Sequence, residues 1–102
     1  MKKVFVRGEA VSRSTEYQAF SDMLNRCYRP ATNSFKTHGA RGIRVCVRWR
    51  DRQHGGMGTR IEAFARFFSD IGERPDGFTL ERLDVMRNYT PRNCTWSTAK
   101  RQ

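Results

Sequence analysis

The sequence predicts a small α+β domain: two helices packed on a small, mainly antiparallel sheet, with a strand-loop-strand finger at the C-terminal end. Two segments carry apolar residues at helical spacing, and others alternate or cluster apolar residues as strands do. The chain has 102 residues, so we expect residues 1–102 to form a single domain with a small core. A hydrophobic content of 37% and an aromatic content of 12% argue against a wholly disordered chain.

The first helix is predicted from Thr15 to Tyr28. Its apolar side chains recur at helical spacing and form one stripe, which comprises Tyr17, Phe20, Leu24, Cys27 and Tyr28. Thr15 and Gln18 fit a capping box at its start, and Pro30 ends it because proline breaks a helix interior. A loop is then expected over residues 30–42.

Two strands are predicted in the N-terminal half, over residues 2–7 and from Ile43 to Arg50. In the second, apolar and polar residues alternate, so one face packs on the core. The outer face carries three arginines, Arg44, Arg48 and Arg50. Successive positions on that face are ~6.6 Å apart, twice the rise per strand residue, which is close to the spacing of successive phosphates in a nucleic-acid strand. A charged face that prevents edge pairing explains the same pattern, and both interpretations stay open.

The second helix is predicted from Thr59 to Ile71. Thr59 and Glu62 fit a capping box at its start, and Gly72 fits the C-terminal end. Its core stripe comprises Ile61, Phe64, Phe67, Phe68 and Ile71. These aromatic residues at helical spacing are expected to pack in the core rather than to stack on bases.

Two short strands are predicted after the second helix, from Phe78 to Asp84 and from Cys94 to Ser97. The loop between them runs from Val85 to Asn93. The last residues, Thr98 to Gln102, are expected to begin a helix. Together these pieces form the C-terminal finger.

The charge balance favours a polyanionic partner. Lys and Arg number 20 against 10 Asp and Glu, for a net charge of +10, and 16 of the 20 cations are arginine. Residues 1–50 carry +8 and residues 51–102 only +2. Because arginine forms bidentate hydrogen bonds with phosphate and guanine, nucleic acid is the expected partner. A generally basic protein without such a partner is the alternative.

A membrane is not expected as a partner or as a location. No run approaches the ~18 apolar residues of a membrane span, and no basic helix has a broad apolar face. The basic N-terminal residues do not lead into a signal peptide, because Arg7 and Glu9 interrupt any apolar stretch. We therefore expect a soluble intracellular protein.

The cysteines give only weak evidence for a zinc site. Cys27, Cys46 and Cys94 occur singly, without a Cys-x-x-Cys pair. A site completed by His38 or His54 would require the fold to gather all three. Since isolated cysteines are usually small core residues, zinc is not expected, and the odd number argues against a disulfide framework.

The histidines and carboxylates offer few catalytic groups. Both histidines lie in glycine-containing loops, with Asp51 as the one carboxylate nearby. Glu81 and Asp84 are three residues apart, so they can bind a divalent metal or form salt bridges with the arginines around them. From the residues alone, the salt bridges are the better interpretation.

The order of five segments resembles a family of phage and prophage proteins. The segments are Asn25 to Tyr28, His38 to Trp49, Phe64 to Phe68, Gly77 to Asp84 and Asn88 to Trp96. That family is described as HNH-endonuclease-like, within the His-Me finger group. The resemblance extends over about residues 17–100.

The resemblance implies a degenerate nuclease site. In an active HNH nuclease, a histidine at the end of the first strand deprotonates water, and a metal ion stabilises the leaving oxygen. Here Glu81 and Arg82 stand where the acid-histidine pair is expected, and arginine cannot act as a general base. By resemblance, Glu81 and Asp84 would hold Mg²⁺ or Mn²⁺ and Asn93 would fix the loop. These three are the candidate catalytic residues.

Three functions follow from the resemblance. The first is a DNA-binding module on a degenerate scaffold, with contacts from Arg41, Arg44, Arg48, Arg50, Arg82, Arg87 and Arg92. The second is a metal-dependent nicking endonuclease that uses His38, His54 or metal-bound water as its base. The third is a catalytically inactive protein that binds and inhibits a host protein or nucleoprotein complex. Double-stranded DNA is the expected partner, and the cytoplasm of a bacterial host cell the expected location.

Overall fold

The computed structural model describes residues 5–6, 9–10 and 14–98. It begins with a short antiparallel ladder between β1 (Phe5–Val6) and β2 (Glu9–Ala10). β1 lies within the strand predicted over residues 2–7, of which residues 2–4 and 7 fall outside the described residues.

The helix α1 (Thr15–Tyr28) has the predicted bounds, but its cap differs. Ser14 is the N-cap, and its Oγ accepts a hydrogen bond from the backbone N–H of Tyr17 at 3.1 Å. The predicted capping box of Thr15 and Gln18 is therefore wrong, because the cap lies one residue earlier and the third helical residue, Tyr17, has no carboxylate or amide to complete a box. Ser14 has the extended backbone of a cap residue (φ −75°, ψ 150°), whereas Thr15 is already helical.

The segment after α1 is more ordered than the predicted loop. Residues 30–42 contain two 3-10 turns, Asn33–Thr37 and Gly39–Arg41. A third 3-10 turn follows at Val47–Trp49 and a fourth at Arg52–His54. These turns carry the chain from α1 to the second helix.

The strand predicted from Ile43 to Arg50 is wrong. Val45 forms an isolated parallel bridge with Tyr89, and the chain then enters the turn Val47–Trp49. A strand alternates its side chains between two faces, but a 3-10 turn has three residues per turn. Val47 is consequently exposed, while Trp49 is buried in the core.

The helix α2 (Arg60–Ile71) confirms the second predicted capping box. The Oγ1 of Thr59 accepts from the backbone N–H of Glu62 at 3.2 Å, and Oε1 of Glu62 accepts from that of Thr59 at 2.8 Å. Gly72 ends the helix with φ 80°, a conformation that favours glycine.

The C-terminal strands are β3 (Phe78–Arg82) and β4 (Cys94–Thr98), which pair antiparallel with Phe78 opposite Thr98 and Arg82 opposite Cys94. The two predicted strands are confirmed, although β3 ends two residues early and β4 one residue late. Thr98 is therefore in a strand rather than at a helix start. Residues 99–102 fall outside the described residues.

The core lies between the two helices and the turn Val47–Trp49. The two helices and the antiparallel pair of β3 and β4 confirm the predicted α+β class. The rings of Phe20 and Phe64 meet at 5.6 Å, and those of Trp49 and Phe67 at 4.9 Å. The buried hydrophobic residues are Phe20, Met23, Leu24, Cys27, Ile43, Val45, Trp49, Ala63, Phe64, Phe67, Tyr89 and Cys94. Within the described residues, neither α-helix combines the length and apolar character needed to cross a bilayer.

Candidate nucleic-acid interface

The strand-loop-strand finger is fixed to the end of α2. Its loop, residues 83–93, is named the finger loop, and the Leu83 N–H donates to the Asn93 carbonyl at 2.7 Å where the two strands separate. Trp96 on β4 packs edge-on against Phe67 with 6.3 Å between ring centroids. Its Nε1 donates to the Gly72 carbonyl at 3.2 Å. The finger is thus held by the end of α2 and, at Tyr89, by the bridge with Val45.

Asn93 ties the finger loop together. Its Oδ1 accepts from the Asp84 N–H at 2.9 Å, and its Nδ2 donates to the carbonyls of Asp84 (3.0 Å) and Asn88 (2.9 Å). Three of the hydrogen bonds that an asparagine side chain can make are therefore used inside the loop. This is the loop-fixing contact that the resemblance implies for Asn93, and a catalytic role for it stays a prediction.

Arg82 supports the same loop from the strand side. Its Nη1 donates to the carbonyls of Val85 (2.7 Å) and Arg87 (3.0 Å). Its guanidinium lies over the ring of Tyr89 at 5.0 Å, a cation–π contact. Arg82 is therefore engaged in holding the loop, which leaves less of its guanidinium for the predicted contact with DNA.

Three of the predicted nucleic-acid contacts extend into solvent. Arg87 is exposed over 80% of its side chain, with Nε 3.4 Å from Oδ2 of Asp84. The side chains of Arg92 and Arg41 are exposed and make no hydrogen bond or ion pair with the part of the chain that the structure describes. Arg87 and Arg92 both belong to the finger loop.

The arginines at 44, 48 and 50 do not form the predicted row, because no strand spaces them. Arg44 donates to the carbonyls of Gly39 and Ile43, each at 3.0 Å. Arg48 forms a bidentate pair with Asp70, at 2.7 and 3.0 Å. The Nη1 of Arg50 donates to the carbonyl of His54 at 3.2 Å. These three side chains all bond to other groups of the protein, and their contacts with DNA stay predictions.

The candidate metal ligands Glu81 and Asp84 lie in different surroundings. Oε1 of Glu81 accepts from Thr79 at 2.9 Å, and Glu81 lines a cleft beside α1. Oδ1 of Asp84 accepts from the Met86 N–H at 2.9 Å inside the finger loop. Among the described residues, no three His, Cys, Asp or Glu side chains gather as metal ligands. The metal site stays a prediction. Mg²⁺ is often bound by only one or two carboxylates, with water completing its coordination.

The cleft beside Glu81 also contains His38. It has a volume of about 530 Å³ and is lined by α1, the turn after α1 and β3, with Asp22, Arg26 and Tyr89 among its residues. The Nδ1 of His38 lies 2.9 Å from the Ser34 carbonyl. Because a carbonyl can only accept, Nδ1 carries the proton and Nε2 is the basic nitrogen. Burial lowers the pKa of His38, which keeps the ring neutral near pH 7.

His54 is held by a carboxylate. Its Nδ1 lies 2.7 Å from Oδ1 of Asp51, the buried cap of the turn Arg52–His54, and Oδ2 of Asp51 lies 3.4 Å from Arg60. Burial alone would raise the pKa of Asp51, but its bonds to His54 and Arg60 lower it overall. The ring packs on Tyr28 at 5.3 Å. The arrangement closes the turn onto α1, and His54 is not among the residues that line the cleft.

The three cysteines are free thiols in or near the core. Burial raises the pKa of Cys27 to about 11 and that of Cys94 to about 12, and it also raises the pKa of half-buried Cys46. Thiols with such values are protonated and unreactive at neutral pH. The described residues contain no group of three His, Cys, Asp or Glu side chains that could hold a metal ion, so the structure gives no support for a zinc site at these cysteines.

Sequence reasoning missed two features of this surface. Asp70 was not expected to accept from both Arg48 and Trp49, because it lies 21 residues beyond Trp49 along the chain. The exposed side chains Leu83, Val85 and Met86 were also missed. The sequence signal for the second feature is that the predicted loop from Val85 to Asn93 begins with two apolar residues, Val85 and Met86.

Comparison of the chain with protein-family models, curated proteins and solved structures found no match. The resemblance to the HNH-like family therefore remains an interpretation of the sequence motifs.

Proposed function

We propose that this protein binds double-stranded DNA through the finger loop, as a phage-type protein on an HNH-endonuclease-like scaffold. The observation that carries this proposal is the braced loop that displays Arg87 and Arg92. Asn93 and Arg82 fix the loop through five hydrogen bonds, so its backbone is already ordered before binding. A preordered loop loses little conformational entropy when it meets a partner.

The charge of the chain supports the same partner. The net charge is +10, and arginine supplies most of the positive charge. Phosphate contacts provide most of the affinity of non-specific DNA binding, and arginine makes them bidentate. Such binding weakens steeply as the salt concentration rises, so the dependence of affinity on salt measures the number of phosphate contacts.

The experiment is a fluorescence-anisotropy titration of a short labelled duplex at several salt concentrations. The double variant Arg87→Ala/Arg92→Ala is compared with Arg29→Ala/Arg52→Ala, which removes the same charge from exposed arginines outside the finger. We expect the slope of log affinity against log salt to fall by about 0.9 for each phosphate that the protein no longer neutralises, in the finger variant only. Equal slopes in the two variants would show that the finger is not the interface.

Metal-dependent DNA nicking is a second candidate function, favoured by the cleft. His38 offers a neutral, oriented imidazole there, and Glu81 lines the same cleft. Glu81 would hold a divalent cation together with water and phosphate oxygens. Such an ion would stabilise the negative charge on the leaving oxygen.

A supercoiled-plasmid assay with Mg²⁺, Mn²⁺ or EDTA tests this candidate. We expect His38→Ala to slow nicking by about 10²–10⁴-fold, the typical cost of losing a positioned base. Glu81→Gln should abolish the metal-dependent nicking. His54→Ala is the control, because His54 is held against Asp51 and should leave nicking intact. If the plasmid stays intact with either metal, the nuclease hypothesis is wrong, and the proposal of DNA binding is unaffected.

A further inference from the structure

The finger loop presents an exposed apolar tip. Leu83, Val85 and Met86 are 57%, 63% and 77% exposed, and they account for three of the five large hydrophobic residues that are exposed in the described part of the chain. Scattered apolar residues on a surface need no explanation, but clustered ones mark interaction sites. We name these three residues the apolar tip.

The apolar tip is held in place rather than loosely attached. The Met86 N–H donates to Oδ1 of Asp84 at 2.9 Å, and the Arg87 N–H donates to the Asp84 carbonyl at 3.1 Å. Arg82 fixes the Val85 carbonyl at 2.7 Å. The backbone on both sides of the exposed side chains is thus bonded within the finger, which suits a rigid contact surface.

The surroundings of the apolar tip are cationic. Arg87 and Arg92 lie in the same loop and are exposed, and Asp84, its single acidic residue, has its carboxylate bonded to the Met86 N–H and lies near Arg87. An apolar projection flanked by arginines is complementary to a nucleic-acid groove, whose phosphate rims are anionic and whose floor is formed by bases. An acidic protein surface would offer the charges without stacked bases between which an apolar side chain can insert.

We propose that the apolar tip enters a groove of the bound duplex, where Val85 and Met86 press against a base step and bend the DNA. This inference rests on the proposed DNA binding. Apolar wedges of this kind unstack a step and kink the duplex, which brings more of the backbone within reach of flanking cations. Arg87 and Arg92, which are exposed in the same loop, bind that backbone.

The test compares two matched double variants. Val85→Ser/Met86→Ser removes the wedge, and Val47→Ser/Met57→Ser makes the same changes at exposed positions outside the finger, where Met57 is 74% exposed. All four positions are exposed, so both variants should fold, and circular dichroism checks that they do. Affinity is measured at several salt concentrations, and bending by energy transfer between dyes at the two ends of a duplex with a central flexible TA step.

We expect the wild-type protein and the Val47/Met57 variant to raise the energy transfer on binding. The Val85/Met86 variant should bind about tenfold more weakly without raising it. Its salt slope should be unchanged, because no phosphate contact is removed.

Three results would overturn the inference. If the Val85/Met86 variant binds and bends as the wild type does, the wedge is wrong while DNA binding stands. If that variant has a smaller salt slope, the tip acts by positioning phosphate contacts and not as a wedge. If the wild-type protein fails to bind duplex even at about 50 mM salt, the proposed function fails with it, and a protein partner becomes the better hypothesis.

Discussion

The Arg48 guanidinium and the Asp70 carboxylate form a bidentate pair, with Nε and Nη2 of Arg48 at 2.7 and 3.0 Å from the two oxygens of Asp70. The same Oδ2 of Asp70 accepts from Nε1 of Trp49 at 2.7 Å. One carboxylate on α2 therefore fixes two consecutive residues of the turn Val47–Trp49. This contact explains why an arginine that the sequence assigns to DNA is bound within the fold.

Replacing Asp70 should destabilise the protein. In Asp70→Ala, Nε1 of fully buried Trp49 loses its acceptor, and an unsatisfied buried donor costs about 1–3 kcal/mol. Urea denaturation measures the loss. Asp76→Ala is the control, because Asp76 is exposed in the turn before β3. Equal midpoints for the two variants would show that the acceptor is not needed.

The same carboxylate should make stability fall in acid. Hydrogen bonds from Arg48 and Trp49 hold the pKa of Asp70 below its usual range. A carboxyl with a lowered folded-state pKa contributes stability above its unfolded pKa, about 4, and that contribution is lost as the pH falls through the folded value. The difference in Tm between wild type and Asp70→Asn should therefore shrink from pH 6 downward past about pH 4. A difference that stays constant over this range would contradict the assignment.

Loosening the finger loop should let trypsin cleave the peptide bond after Arg87 more easily. In Asn93→Asp, two donated hydrogen bonds are removed and a negative charge faces the carbonyls of Asp84 and Asn88. We expect faster cleavage after Arg87, detected by mass spectrometry of a time course, with little change in Tm. Asn33→Asp, at an exposed position in the turn after α1, provides the control. Unchanged cleavage would show that Asn93 does not control the loop.

The buried thiols should resist alkylation until the protein unfolds. Burial raises the pKa of Cys27 to about 11 and of Cys94 to about 12, so about one thiol in a thousand or fewer is ionised at pH 8. Iodoacetamide should modify both rapidly in urea and slowly in buffer, as read by peptide mass spectrometry. Rapid modification of Cys94 in the native protein would contradict its burial.

Alkaline pH should also reduce stability through these thiols. Their folded-state pKa values lie above the unfolded value of about 8.5, so their contribution is complete below that pH and is lost as the pH rises toward about 11 to 12. Between pH 8 and pH 10, Tm should fall less in Cys94→Ala than in the wild type. An equal decline in the two proteins would assign the effect to other groups, such as Tyr89, whose pKa burial also raises.

The finger could be predicted only in outline. The pairing of two strands around a loop and the loop-fixing position of Asn93 were both accessible from sequence motifs. The role of Arg82 was not, because its acceptors are backbone carbonyls whose positions depend on how the loop closes. The cleft was missed for a similar reason, since His38 and Glu81 are 43 residues apart in the sequence and both line it only after folding.

The sequence by itself determined the two helices, because their information is local. Apolar spacing, the Thr59–Glu62 capping box and Gly72 all act within a few residues, and the bounds of α1 and α2 follow from them. The net charge of +10 is likewise independent of the fold.

Only the tertiary structure decided the course of residues 43–50 and the partners of their arginines. The alternating pattern there favours a strand, but within the described residues no neighbouring strand lies alongside beyond the single bridge of Val45 with Tyr89. Asp70, on α2, instead accepts from Arg48 and Trp49 and holds the segment in a turn. A strand requires a partner, and a partner distant in the sequence is available only once the chain has packed.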